Sequence, residues 1–293
     1  MSRISVLKTY KIYINGQFPR TESGRFYPLY NKEKKLIANI CLGSRKDFRN
    51  AVVAARNAFA DWSQKTAYNR SQILYRMAEM LESRKEQFIE EIILQGTSRP
   101  KATVEVENSV DRIIYYAGWA DKFQQVVSSV NPVASSHFNF TVAEPTGVVA
   151  LLPDSKFSLL SVVSILIPII ASGNTTVLLA SEDKPLCAIT FAEVLNSSDL
   201  PPGVVNMITA KRKEVLKHIV AHMDINAIVN CIDDENDKKL IKEVSAVNLK
   251  RTIDYHKNWE EENAQDLFFI TDSVEYKTTW HPIEVTDSAG SGY

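Results

Sequence analysis

The chain has 293 residues, 45% of them hydrophobic and 24% charged, a composition suited to a globular protein with length for one large core or two modest ones. Lysine and arginine total 34 against 35 aspartates and glutamates, so the net charge of -1 supplies no field favouring nucleic acid or an anionic membrane, and neither is expected as a partner. Cys41, Cys187 and Cys231 are far apart and form no Cys-x-x-Cys pair, which argues against a zinc ribbon or dithiol motif and suits a reducing, cytoplasmic setting.

The N-terminus shows no signal-peptide pattern. Residues 10–18 and 24–40 read as short strands and turns forming a leading flap, with Asn15-Gly16 marking a hairpin. Ser44, with Asp47 three residues on, is an N-cap candidate. It opens a helix whose apolar face is Phe48, Ala51, Val52, Ala55, Phe59 and Trp62. Two further amphipathic helices follow, one through Ile73, Met77, Leu81 and Phe88, the other through Val106, Val110 and Ile113. Residues 136–142 alternate, with Phe138, Phe140 and Val142 opposite His137, Asn139 and Thr141, as in a strand with one wet face.

After Gly147 the apolar runs become continuous: 148–152, 175–179, 204–208 and 227–232, each followed by a helical stretch. The run 157–171 falls short of the ~20 residues that span a bilayer and reads as a buried helix. Such strands alternating with helices predict a doubly wound parallel sheet covered on both faces. Residues 254–265 are polar and read as a connector, and 273–280 alternate as a last strand.

Glu144-Pro-Thr-Gly-Val-Val-Ala-Leu-Leu-Pro153, Ala171-Ser-Gly-Asn-Thr-Thr-Val-Leu-Leu-Ala-Ser-Glu182 and Leu200-Pro-Pro-Gly-Val-Val-Asn-Met-Ile-Thr209 resemble the first three nucleotide-domain strands of the aldehyde dehydrogenase superfamily. Tyr68-Asn-Arg, Tyr115-Tyr-Ala-Gly-Trp-Ala-Asp121 and Asn248-Leu-Lys-Arg251 resemble in particular the non-catalytic C-terminal half of the family-16 enzymes. The resemblance implies a Rossmann-like nucleotide-domain remnant over 8–253 with an oligomerisation hairpin at about 128–145. A connector over 254–272, a C-terminal oligomerisation strand over 273–283 and a disordered tail over 284–293 would follow, with the catalytic domain absent.

The resemblance also implies losses. Leu179 stands where the family has a lysine that reaches the cofactor ribose, a contact whose loss weakens affinity about ten- to a hundredfold. Ile232-Asp233-Asp234 replaces a Gly-Ser-Thr turn at the pyrophosphate, putting bulk and negative charge there; structurally, the aspartates would cap the next helix. Glu182 retains an acidic ribose-ligand position as a vestige, or else caps or solvates the following helix. No cofactor is expected, and residual NAD(P) binding would be weak. Ser155 replaces an oxyanion-hole asparagine, Tyr255 falls near the general-base glutamate, and no Gly-Gln-x-Cys nucleophile segment occurs. No catalytic residue is therefore assigned. Cys231 reads as a buried structural thiol, and His218 and His222 lack the glutamate of a His-Glu-x-x-His zinc motif, so no metal site is assigned.

Three functions remain open. One is a non-catalytic module that joins a full-length aldehyde dehydrogenase, or another copy of itself, by β-sheet extension through Phe138, Phe140, Val142, Val274, Tyr276 and Trp280. The second is an NAD-dependent aldehyde dehydrogenase subunit or half-protein with its active site supplied in trans. The third is a nucleotide sensor.

Overall fold

The computed structural model describes residues 8–283; the expected tail over 284–293 lies outside them. The N-terminal strands are β1 (Thr9–Tyr10), β2 (Phe26–Tyr30) and β3 (Leu36–Cys41), forming a small sheet in the order β1-β3-β2. The segment between β1 and β2 is no flap: Ile12 and Tyr13 are buried, and Tyr13 exchanges two 2.8 Å backbone hydrogen bonds with Met207. Asn15 and Gly16 both have positive φ, +51° and +73°, as the predicted two-residue hairpin turn requires.

Helix α1 (Arg45–Gln64) starts at the expected cap, with the Ser44 hydroxyl accepting from the N–H of Asp47 and the Asp47 carboxylate accepting from that of Ser44. Helices α2 (Ala67–Ser83), α3 (Lys85–Leu94), α4 (Arg99–Trp119) and the short α5 (Phe123–Val127) follow. Strands β4 (Ser129–Asn131) and β5 (His137–Pro145) then form the projecting hairpin.

The central unit alternates β6 (Val148–Leu152), α6 (Leu160–Ala171), β7 (Thr175–Leu179), α7 (Leu186–Asn196), β8 (Val205–Ile208), α8 (Arg212–Ala221), β9 (Ala227–Asn230), α9 (Glu235–Val247) and β10 (Arg251–Asp254). The five strands are parallel, in the order β10-β9-β6-β7-β8. Alternate residues of β6 feed two cores. Val149 and Leu151 join α4, α6 and α7 on one face, while Val148, Ala150 and Leu152 join α1, α8 and α9 on the other. Two buried faces explain the continuous apolar runs. At the turn into β6, Gly147 has φ +137°, and a Cβ there would lie 2.2 Å from the Asn226 side-chain oxygen that accepts the Val148 N–H, so only glycine fits.

The polar stretch expected to be a connector belongs to the core. It begins inside β10, and Trp259 and Ala264 are fully buried. Arg112 of α4 secures it, donating to the carbonyls of Trp259 at 2.9 Å and Ala264 at 2.8 Å. A short helix α10 (Phe268–Thr271) packs on α6 before the last strand, β11 (Val274–Pro282). β11 pairs antiparallel with β5 along all nine of its residues, giving a second three-stranded sheet in the order β11-β5-β4.

Candidate functional site

From β6 the chain winds first toward β7 and β8, then crosses back to β9 and β10. This divergence opens a crevice at the C-terminal ends of β6 and β9, where open α/β sheets bind ligands. It encloses about 880 Å³ and is lined by residues 153–156, 179–183, 211–214, 231–234 and 255–258.

Contacts within the chain occupy its walls. Beyond β6, Asp154 accepts the Lys156 N–H at 2.8 Å with one oxygen and the Trp259 indole N–H at 2.7 Å with the other. The N-terminus of α6 is filled by Glu105 of α4, whose buried Oε1 accepts from the N–H groups of Ser158, Leu159 and Leu160 at 2.7, 2.7 and 3.3 Å. Burial pushes the Glu105 carboxyl up from its ordinary value, and these three donors oppose that shift without cancelling it.

Glu182, beyond β7, does not cap α7, whose N-cap position is Pro185. It accepts the Arg212 N–H at 2.5 Å and pairs with Lys211 at 3.1 Å, so it holds the start of α8 instead. Beyond β9, Asp234 caps α9 by accepting from the N–H groups of Asn236 and Asp237 at 3.0 and 3.1 Å, as expected of it. Asp233 departs from that expectation and pairs with Lys238 at 2.8 Å on the rim. Leu179 and Ile232 are buried together in the core shared with α1, α8 and α9.

Burial keeps two groups that could perform chemistry protonated. Burial first, then the Asp154 and Asp254 carboxylates, push the Cys231 thiol well above its ordinary range, so it stays protonated at neutral pH. Tyr255 is pushed up by burial and by donating its hydroxyl to Asp272 at 2.7 Å, so it is no base. Ser155 is exposed. His222 Nδ1 accepts the Asp224 N–H at 3.3 Å, and no cluster of three or more histidine, cysteine or carboxylate side chains suited to a metal occurs among the described residues.

The projecting sheet is the opposite case. Tyr276 is 51% exposed, Trp280 57% and Phe138 45%, while Phe140 and Val142 are half-buried. Val274, expected at an interface, is buried at the root of β11 with 2% exposure. The remaining candidates divide between two faces. Register places Tyr276 opposite Ala143 and Trp280 opposite Asn139, so the β11 aromatics share a face with the polar residues of β5. Phe138, Phe140 and Val142 lie on the other face with Val130, around an open groove of about 370 Å³. The expected wet face of β5 is thus partly inverted: Asn139 is buried, its oxygen accepting from Asn131 at 2.6 Å.

Comparison with known proteins matches residues 20–253 to the model of the aldehyde dehydrogenase family. The chain belongs to that family. It is 32% identical over 252 residues to retinaldehyde dehydrogenase 3 of Rattus norvegicus, covering 84% of this chain and 48% of the relative. Omega-crystallin of Enteroctopus dofleini is 30% identical over 251 residues, with 84% and 50% covered. Among solved structures, an aldehyde dehydrogenase from Bacillus cereus in complex with NAD+ superposes with a TM-score of 0.78 at 28% identity, over 84% of this chain and 50% of that one. PnpE from Pseudomonas sp. WBC-3 superposes with a TM-score of 0.80 at 27% identity, over 84% and 50%. The chain spans about half the length of these relatives and matches their N-terminal half.

In this aldehyde dehydrogenase family member, several crevice groups oppose a dinucleotide at the positions the resemblance implies. A pyrophosphate at the start of α9 meets a helix already capped by Asp234, with Asp233 beside it. The ribose side offers the apolar Leu179, and Glu182 is engaged with Lys211 and the Arg212 N–H. Glu105, Arg112, Trp259 and Asp272, which hold the crevice in this state, were not singled out from the sequence. A signal for two of them exists: Glu105, Ser109, Arg112 and Tyr116 recur at helical spacing on the buried face of α4. Charges on such a face must find partners inside the protein.

Proposed function

We propose that this chain is a non-catalytic aldehyde dehydrogenase-like module that works by docking, through its β4-β5-β11 sheet, onto a competent aldehyde dehydrogenase or onto another copy of itself. The observation that carries this reading is a contrast: the crevice carboxylates Asp154, Glu182, Asp233 and Asp234 are engaged within the chain, whereas β11 is a long exposed edge strand with aromatic side chains. The role suits the non-catalytic half of a family-16-type protein and depends on no bound NAD(P). Three free cysteines accord with a reducing, cytoplasmic location.

A second reading, an enzyme half completed in trans, draws support from the match to about half of each relative. Mixing separates the two. The chain should form a stable complex with full-length retinaldehyde dehydrogenase 3, seen by light scattering, while adding no aldehyde-oxidising activity beyond that enzyme's own. Failure to form any complex, with that enzyme or with itself, would remove the docking reading. Turnover by the chain together with an enzyme whose own thiol is disabled would establish completion in trans.

A further inference from the structure

The outward edge of β11 is self-complementary in one register. In an antiparallel pair, successive residues direct their N–H and C=O alternately toward the partner and away from it. The Ser273 carbonyl accepts from Thr146 and the Ile283 N–H donates to Ser136, so the odd-numbered residues of β11 face β5. The even-numbered residues therefore face outward. Consistent with this, the Val274 carbonyl is taken at 2.8 Å by Arg251, which lies off that edge. Pro282, at the other end, has no N–H to offer. Between them Tyr276, Thr278 and Trp280 each carry an outward N–H and C=O with no partner among the described residues.

We propose that the partner of this edge is β11 of a second copy of the chain, antiparallel and centred on Thr278, joining the two projecting sheets into one. This rests on the docking reading above and narrows it to a specific partner and register. Thr278 then pairs with Thr278 of the second copy, and Tyr276 with Trp280 of the second copy, in both directions, so all the free outward groups of both strands are satisfied. Each Tyr276 side chain lies beside a Trp280 side chain across the seam. Glu275 stands opposite His281 of the second copy and Lys277 opposite Thr279, with no like charges opposed. Moving the centre by one residue to Lys277 would oppose two lysines.

The ends agree with the same register. Pro282 of the second copy meets Val274, whose carbonyl is already bound, so the missing N–H leaves no acceptor unsatisfied. The root of β11 also has room for the incoming strand end. A groove of about 430 Å³, lined by Arg251, Ile253, Thr271, Val274 and Tyr276, lies there, and Ile283 is an exposed apolar residue at the end that would enter it.

The test uses the full chain. At about 10–100 μM its mass by light scattering should be twice 33.0 kDa, a range reached by specific but modest interfaces. Thr278→Pro removes an N–H that faces away from β5, so it should return the mass to one chain with little change in thermal unfolding. Independently, spin labels placed in turn at residues 276, 278 and 280 should approach closest at 278. The 276 and 280 pairs should be equally farther apart, offset by about 14 Å along the strand. A single-chain mass throughout, a dimer that survives Thr278→Pro, or a label profile not centred on 278 overturns the proposal; if Thr278→Pro prevents folding, the labels decide. A chain that stays single yet binds the full-length enzyme refutes self-pairing and leaves docking intact. One that does neither refutes both.

Discussion

The crevice and the projecting sheet treat their polar groups in opposite ways. At the crevice, helix starts are filled by Glu105, Glu182 and Asp234, and the Trp259 indole is held by Asp154. At the sheet, a nine-residue strand pairs with a neighbouring strand on one side only and carries exposed Trp280, with exposed Ile283 just beyond it. Polar groups satisfied internally are unavailable to a ligand, whereas an unpaired strand edge is a template for another chain. The difference is what supports the proposal that the working surface is the sheet, although the family frame would place it in the crevice.

The largest expected effect comes from opening the crevice. Trp259→Ala removes a fully buried indole and the donor that holds Asp154, and should destabilise the chain by about 3–5 kcal/mol in chemical denaturation. A cost below about 1 kcal/mol would mean that the 254–265 segment is not part of the core and that the crevice is less firmly closed. A smaller effect should follow from undoing the departures from the family pattern together. About 1 mM NAD should leave the melting temperature of the natural chain unchanged. It should stabilise a variant carrying Leu179→Lys, Ile232→Gly, Asp233→Ser and Asp234→Thr by about 1 kcal/mol. Equal stabilisation of both proteins would show that the natural crevice accepts the nucleotide. The smallest effect is expected for Glu182→Gln, which keeps an acceptor for the Arg212 N–H and weakens only a partly exposed pair with Lys211. Screening limits the change to about 0.5 kcal/mol. A nucleotide-dependent stabilisation abolished by this substitution would instead make Glu182 a ligand and the chain a sensor.

Much of the fold was legible because its physics is local. Buried parallel strands are apolar on both faces, so 148–152, 175–179 and 227–232 stand out, and Ser44 with Asp47 marks a helix start by its own hydrogen bonds. β10 was not legible: Arg-Thr-Ile-Asp is an edge strand with one buried side chain, and its end residues serve distant groups, Arg251 the Val274 carbonyl and Asp254 the Asn230 amide. Trp259 stands alone among charged residues, and its burial depends on Arg112, 147 positions away. In β5, alternation revealed a strand but not its orientation, because Asn139 is covered through cross-strand neighbours that sequence spacing does not show. The departures at Leu179 and 232–234 were readable from the residues alone. The Asp234 cap of α9 was readable as well, whereas the filling of the starts of α6 and α8 by Glu105 and Glu182 required the fold.

The most direct test of the account is backbone hydrogen exchange along β11, followed as the chain is concentrated and as a full-length aldehyde dehydrogenase is added. The outward amides of Tyr276, Thr278 and Trp280 should exchange rapidly when dilute and become strongly protected on assembly, while amides lining the crevice stay unchanged when NAD is added. Rapid exchange at those three positions in an assembled state, or protection of the crevice by NAD, would contradict the claim that this protein works through its sheet edge.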